Sequence, residues 1–506
     1  MSETKRKNYD SDFCGNVPLN FINSIQPYGA LLVLDKAKLN VIQASENVVV
    51  LFHRPVDEIV ASPFSSLVAP EDWPSLSEKM NRSSFRQSIP LRFTFLGVSC
   101  LAIMHFQEAQ ILLEIEKKEL GISDFSTIYQ DVKYIIALLK EAENVEEVCH
   151  VAAKEIKKMS GFDKVMVYRF DEEWNGHVMS EEKEENMDSY FGLRFPASDI
   201  PKQARELYLK NPYRWIPNNR YEPVKLQPVL NPLSFKFTDL SPCNLRGVPA
   251  VHLEYLDNMK VGASMSTPIV KNGQLWGLIT CHHKTPRALH YDMRCAFELL
   301  SDFISAQLAS QERESLLRHG SQLQLVQNSL YKQMVTAESS VEGLFSPPDS
   351  LFQLLDITGA ALFYQDKLIK IGQTPPETFV KELLFWLKIN KIDQVYTTTS
   401  ISESIDIKTP HNAIASGLLA IPISPKNEEY ILGFRPEAVQ TVQWGGNPND
   451  AIQFESDKKN YHPRNSFAIW QETVRNTSRP WKPGTLKAAE DLQKSILEMV
   501  RARRTS

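Results

Sequence analysis

A chain of 506 residues with 56 Lys and Arg against 61 Asp and Glu carries a net charge of −5, a balance that argues against nucleic acid as a partner. Its length predicts roughly three domains, and its apolar and charged fractions are those of a globular protein able to bury a core. Cys14, Cys100, Cys149, Cys243, Cys281 and Cys295 show no C-x-x-C spacing, and neither a signal-peptide core nor an apolar run of membrane-span length is present, so the chain reads as cytoplasmic with no membrane partner.

Residues 1 to about 20 form a polar arm holding Cys14 next to Gly15; an exposed thiol there is a reactivity hazard unless it has a use. Strands are predicted at 30–34, 89–95, 101–106 and 110–115, which makes a small αβ domain with an antiparallel sheet. A helical stretch over 129–160, amphipathic from 145 to 158, opens a second domain and leads to strands at 164–170 and 176–179. Next comes Arg194-Phe195-Pro196-Ala197-Ser198-Asp199-Ile200-Pro201, where two prolines stiffen a segment containing a single acid. In isolation this is a helix start capped by Ser198 or Asp199. Alternatively, it is a rigid turn that offers a carboxylate and a carbonyl to a polar or NH-rich ligand. A proline-rich irregular region over 211–249 follows, then a helix over 250–262 and strands at 263–270 and 275–282. Long ordered loops of that kind tend to be functional.

From 293 to 335 there is no proline and only one glycine, Gly320, while Phe297, Leu300, Phe303, Ile304, Leu308, Leu323, Val326 and Leu330 recur at helical spacing. A long helix joining two domains is expected, with an apolar stripe that would favour dimerisation. A third αβ domain runs from about 342 to 434. Trp444-Gly445-Gly446-Asn447 and Pro463-Arg464-Asn465-Ser466-Phe467 then bracket a polar excursion that Pro480-Trp481 closes. It is either a hairpin arm that touches another domain or a surface insertion. Ala489, Leu492, Ile496 and Met499 alternate by three and four like a coiled-coil seam, and Arg501, Arg503 and Arg504 follow without a stop signal, so a further segment is expected after it.

Enzyme motifs are missing: there is no phosphate loop, no dinucleotide fingerprint and no H-E-x-x-H. His282 and His283 are adjacent and leave a strand on opposite faces, which makes them a poor metal site. Neither Cys243 nor Cys281 sits in a nucleophile motif that could work with His252.

The ordered set of Cys14, Ser24-Ile25-Gln26-Pro27-Tyr28-Gly29, the Phe195 to Pro201 motif, His252, the Trp444 segment and the Pro463 segment resembles the photosensory half of a bacterial phytochrome. The resemblance covers essentially the whole chain. It implies a mixed α+β fold of three αβ sensor domains (PAS, GAF and PHY) with central antiparallel sheets, a long connecting helix and a hairpin-like PHY arm. The implied boundaries are an arm at 1–22, PAS at 23–124, GAF at 128–312 and PHY at 325–506. The linking helix would cover about 293–338, the tongue about 435–482 and the terminal coiled coil about 484–506. The implied function is a red/far-red photoreceptor, homodimeric through the linking helix and the coiled coil. It would signal to an output domain, a histidine kinase or a diguanylate cyclase.

By the same resemblance the cofactor is biliverdin IXα. Plant and cyanobacterial relatives attach their bilin immediately before the motif histidine; Val251 stands there and cannot, so attachment falls to Cys14, with Cys243 a weaker candidate. Arg214 and Arg246 would bind one propionate by paired hydrogen bonds, and Ser264 and Ser266 the other. The Asp199 carbonyl, with Ile200 beside it, would accept from pyrrole NH groups. His252 would hold an ordered water and His282 the outer-ring carbonyl. Tyr168, Phe195, Tyr208 and Tyr255 would wall the ring that rotates. Asp199 would pair with Arg464 in the dark, Ser466 would replace Arg464 after illumination, and Trp444 and Trp481 would anchor the refolding arm. The rival reading is a chromophore-free small-molecule sensor of the same domain type.

Overall fold

The structure is a computed structural model that describes residues 19–81, 88–117, 125–337, 339, 341–347, 349–406, 411–450, 452–454 and 461–505. The chain forms two compact units, residues 1–309 with 443–470, and residues 310–442 with 471–506. None of the helices among the described residues is long and apolar enough to cross a membrane.

Among the described residues the first unit holds two large sheets and a two-stranded ribbon of Ile452–Phe454 with Tyr461–Pro463. The strand Ala30–Asp35 is buried along almost its whole length, and its apolar run places it inside a sheet between Val41–Ser45 and Gln110–Lys117, with Val98–Phe106 and Ile89–Phe95 beyond. The region 211–249 proves less irregular than its prolines suggest. Its segment Val224–Gln227 pairs with both Val41–Ser45 and Ser24–Ile25, so it extends this first sheet. Four residues framed by Pro223 and Pro228 are too few for periodicity to reveal a strand. The same region holds the N-terminal segment: Gln26 N donates to Leu245 O at 2.7 Å, Gly247 N to Ser24 O at 2.8 Å, and the buried Gln26 Nε2 to Trp215 O at 3.0 Å.

The second sheet runs in the order Arg214–Ile216, Ala263–Lys271, Gln274–His283, Lys164–Phe170, Gly176–Lys183 and Arg194–Phe195. It is antiparallel as far as Arg194–Phe195, beyond which Trp444 of the arm pairs in parallel with Arg194. Helix Val145–Ser160 covers one face. Asn144 caps it by accepting from Glu147 N at 2.9 Å, and Gly161 ends it at φ 64°, a left-handed position that glycine takes without strain. Its apolar stripe packs with Phe297, Leu300, Ile304 and Leu308 of the long helix Tyr291–Thr336. That helix has 46 residues, about 69 Å at the usual rise.

The second unit is a five-stranded antiparallel sheet in the order Lys367–Gly372, Gly359–Tyr364, Glu429–Arg435, Gly417–Ser424 and Tyr396–Thr398. Its core takes Leu330 and Met334 from the long helix and Ala489, Leu492 and Ile496 from the terminal helix Pro483–Thr505. This revises the coiled-coil expectation. The a/d stripe of the terminal helix is at most 2% exposed at these three positions and packs into its own domain, because a heptad-like stripe serves a globular core as well as a partner helix.

Candidate functional site

The Phe195 to Pro201 segment does not fold as a capped helix start. Residues Ala197–Asp199 make a 3-10 turn, and the helix Lys202–Tyr208 begins after Pro201 with no side chain capping it. Asp199 is thereby released from capping. Its carboxylate accepts from Tyr255 Oη at 2.8 Å and pairs with Arg464 Nη2. Burial pushes the Asp199 carboxyl up; Arg464 and the Tyr255 hydroxyl push back without cancelling the rise.

This turn borders a cavity of about 220 Å³ within the first unit. Three strands furnish one wall at period two: Met166 and Tyr168, then Leu278, Thr280 and His282, then Ser264 and Ser266. Gly176 makes room for the first of these, since a Cβ there would lie 1.5 Å from Tyr168 Cζ. Helix Ala250–Asn258 gives the opposite side with Val251, His252 and Tyr255, the last two with rings stacked at 6.1 Å.

The cavity's electrostatics are one-sided. Arg214 and Arg246 both line it and have no ion-pair partner among the described residues. Arg214 donates to Asn244 O at 3.1 Å and Gly247 O at 2.9 Å, Arg246 to Leu240 O at 3.3 Å and Ser241 O at 3.0 Å, all neutral carbonyls. Burial and then the neighbouring Arg214 pull the Arg246 guanidinium down to about 9. Two cations facing one cavity, Arg246 buried and Arg214 half-buried, suit a carboxylate-bearing ligand. Both histidines are held neutral. Burial and then Arg214 bring His252 down to about 4; burial, Lys164 and His252 bring His282 down to about 3. His282 Nδ1, Ser198 Oγ and Thr280 Oγ1 are buried without a hydrogen-bond partner among the described residues. A largely apolar cleft with two cations and unused polar atoms suits a mainly apolar ligand that carries carboxylate.

Of the residues singled out from sequence, Tyr168, Phe195, Asp199, Ile200, Tyr208, Arg214, Arg246, His252, Tyr255, Ser264, Ser266 and His282 all line the cavity. Cys14 lies outside the described residues, whereas Leu19, five positions later, lines the cavity. Cys243 is fully buried away from it, in a cluster with His105 and Glu114. The arm reaches the site as a hairpin. Pro463 lines the cavity, the Arg464 guanidinium lies 5.2 Å from the Phe195 ring and 4.8 Å from Phe467, and Asn258 Nδ2 donates to Arg464 O at 3.2 Å. Gly446, at φ 98°, allows this turn: a Cβ there would lie 2.4 Å from Ser466 O and 3.0 Å from Arg464 Nη1. Trp444 is buried beside Arg194, and Ser466 is exposed rather than at Asp199. Trp481 belongs to the second unit, where its Nε1 donates to Thr398 O at 3.0 Å and Arg435 covers its ring. Tyr190, Met166, Val178, Leu278 and Thr280 were not foreseen as cavity residues. The strand residues share a face with Tyr168 and His282, so period two could have found them. Tyr190, in a loop, had no such signal.

Comparison with known proteins gives a consistent picture. Family models match in the order PAS fold (residues 14–118), GAF domain (144–308) and Phytochrome region (323–505). A bacteriophytochrome of Xanthomonas campestris is 32% identical, over 98% of this chain and 79% of its own length. Cyanobacterial phytochrome B of Nostoc is 35% identical over 97% of this chain, which spans 66% of that relative's length. Among solved structures, a bacteriophytochrome from the photosynthetic bacterium R. palustris superposes with a TM-score of 0.85 at 31% identity, covering 97% of this chain and 99% of the other. The photosensory core module of a Stigmatella aurantiaca phytochrome gives 0.83 at 33% identity, with coverages of 97% and 98%.

Proposed function

This chain belongs to the phytochrome family, and we propose that it is a red/far-red light sensor of the cytoplasm that carries biliverdin IXα on Cys14 and signals through its arm to an output domain. The observation that carries the proposal is the pair of guanidiniums, half-buried Arg214 and buried Arg246, that line one cavity together with the neutral His282.

The bound bilin would supply the light absorption and the double bond that isomerises. The chain's own residues would do the rest. Arg214 and Arg246 would receive one carboxylate, and Ser264 and Ser266, paired in register with His282 and Thr280 across two strands, would orient the other. His252 and His282, kept neutral, can each donate from one ring nitrogen and accept at the other. Tyr168, Phe195, Tyr208 and Tyr255 would confine the rotating ring. Tyr255 bonds the same carboxylate that holds Arg464, so a displaced tyrosine would weaken the grip on the arm. A desolvated pair is a poor source of stability but a sharp switch, since either partner alone is stranded. Released, Arg464 would yield its place to Ser466 as the hairpin refolds, and a homodimer would relay the change.

The test is to mix the chain with biliverdin. A red-absorbing adduct that photoconverts supports the reading, and no such adduct refutes it in favour of a pigment-free sensor. An adduct that resists denaturation in Cys14→Ala would move the attachment site elsewhere.

A further inference from the structure

On the same sheet face as the cavity wall, next to His282, lies a buried charge. Lys164, the cross-strand neighbour of His282, is 1% exposed. A buried ammonium is costly unless its donors are used. Lys164 Nζ donates to the Asp188 carbonyl, lies 3.6 Å from Glu181 Oε1 and stands 3.7 Å from the centre of the Tyr190 ring. Burial lowers the amine to about 8, with Glu181 and Asp188 opposing the shift, so it remains charged at neutral pH. Glu181 grips the same loop from the other side: Oε2 accepts from Ser189 Oγ at 2.6 Å and Oε1 from the Tyr190 amide at 2.8 Å. Two buried charges thus hold three consecutive residues. The residue they deliver is Tyr190, whose ring lines the cavity, meets Phe195 edge-on at 5.6 Å and lies 6.5 Å from Phe467 of the arm.

Apolar side chains could fill that space without desolvating two charges, and such replacements are often neutral or stabilising. The pair therefore has a use other than stability. We propose that Lys164 and Glu181 form a clamp that positions Tyr190 against the pigment and the arm, and that through Tyr190 it sets the colour of the bound bilin and the lifetime of its photoproduct. The inference rests on the bilin reading of the cavity. Lys164 and Glu181 are positioning residues, since neither lines the cavity itself. The ammonium sits on the ring and draws on its π electrons, so losing it changes both the place and the polarisation of the wall.

The experiment compares biliverdin adducts of the wild-type chain with Lys164→Met, Lys164→Arg and Glu181→Gln. Lys164→Met should bind pigment but absorb at a shifted wavelength, with dark reversion about tenfold faster, equivalent to about 1.4 kcal/mol. Lys164→Arg should recover both values. Lys164→Met combined with Tyr190→Ala should add nothing to Tyr190→Ala alone, because the clamp acts through that ring. A Lys164→Met adduct with wild-type colour and reversion, or additive effects in the double variant, would overturn the clamp. If Lys164→Met does not fold, Glu181→Gln carries the same measurements. A wild-type chain without a photoconvertible adduct refutes the bilin reading instead. The clamp is then tested by hydrogen exchange in the pigment-free chain: Glu181→Gln must speed exchange of the Tyr190 amide, and unchanged exchange would sink it.

Discussion

Arg464 donates from the arm to the carboxylate of Asp199 across 265 residues of chain, and neither side chain is more than 5% exposed. The contact joins the arm to the turn that borders the cavity, so its chemistry decides whether the arm is held.

Arg464→Ala should therefore strand Asp199. Breaking a buried pair costs about 3–5 kcal/mol, and the loss should depend on pH. Burial already raises the Asp199 carboxyl above 3.8, and without Arg464 it must rise further. A raised acid stabilises the fold below its unfolded value and loses that contribution as pH climbs through its folded value. The deficit of Arg464→Ala against wild type should be small in acid and grow towards neutral pH in urea titrations. A pH-independent deficit would show that the charge is irrelevant.

The two neutral histidines predict an acid weakness of the pigment-free chain. Their folded values, about 4 for His252 and about 3 for His282, lie below the ordinary 6.5, so the unfolded chain binds more protons in between. Stability should be full above about 6.5 and decline as pH falls towards 4 and 3, by about 3 kcal/mol for His252 alone. His252→Gln should flatten that slope in denaturation curves measured between these limits.

Arg246→Met should separate folding from binding. Removing this buried cation from beside Arg214 should leave the pigment-free chain as stable as wild type or slightly more so, since burial and Arg214 already disfavour its charge. Affinity for biliverdin should fall about 10- to 100-fold, the worth of a charge-assisted hydrogen bond. Calorimetry and fluorescence titration measure the two effects. A large loss of stability with unchanged affinity would make Arg246 purely structural.

Gly446→Ala should loosen the arm. Its Cβ would collide with Ser466 O and press on Arg464 Nη1, and its left-handed φ adds strain of about 1–3 kcal/mol. Gly446 N donates to Ala468 O at 3.0 Å, so hydrogen exchange of this one amide, compared between wild type and the variant, reads the hairpin directly. Protection equal to wild type would mean that the turn absorbs the methyl group.

Leu492→Ala tests what the terminal helix packs against. Leu492 is 2% exposed in the core of the second unit, so the variant should lose about 2–5 kcal/mol of that unit's stability. Were the stripe a seam between copies, the loss would instead appear as dissociation in sedimentation, with the unit's unfolding midpoint unchanged at high concentration.

Much of this protein is legible in its residues. The long helix follows from the lack of proline over 293–335, and the strands Ala30–Asp35 and Lys164–Phe170 from their apolar runs, because local periodicity and breakers act over a few residues. The cavity residues could be named because distinctive short motifs in a fixed order carry a family's chemistry. What sequence could not decide depends on partners far away in the chain. Ser198 and Asp199 have the composition of a helix cap, yet Asp199 turns to Tyr255 and Arg464, because a buried charged donor competes better for a carboxylate than backbone amides at a short helix. Val224–Gln227 becomes a strand only because Ser24–Ile25 and Val41–Ser45 offer it two edges. Ala489, Leu492 and Ile496 spell a seam, and only packing reveals that the sheet of their own domain already covers it. Tyr190 enters the cavity through Lys164 and Glu181, a convergence of two strands and a loop that no local pattern encodes.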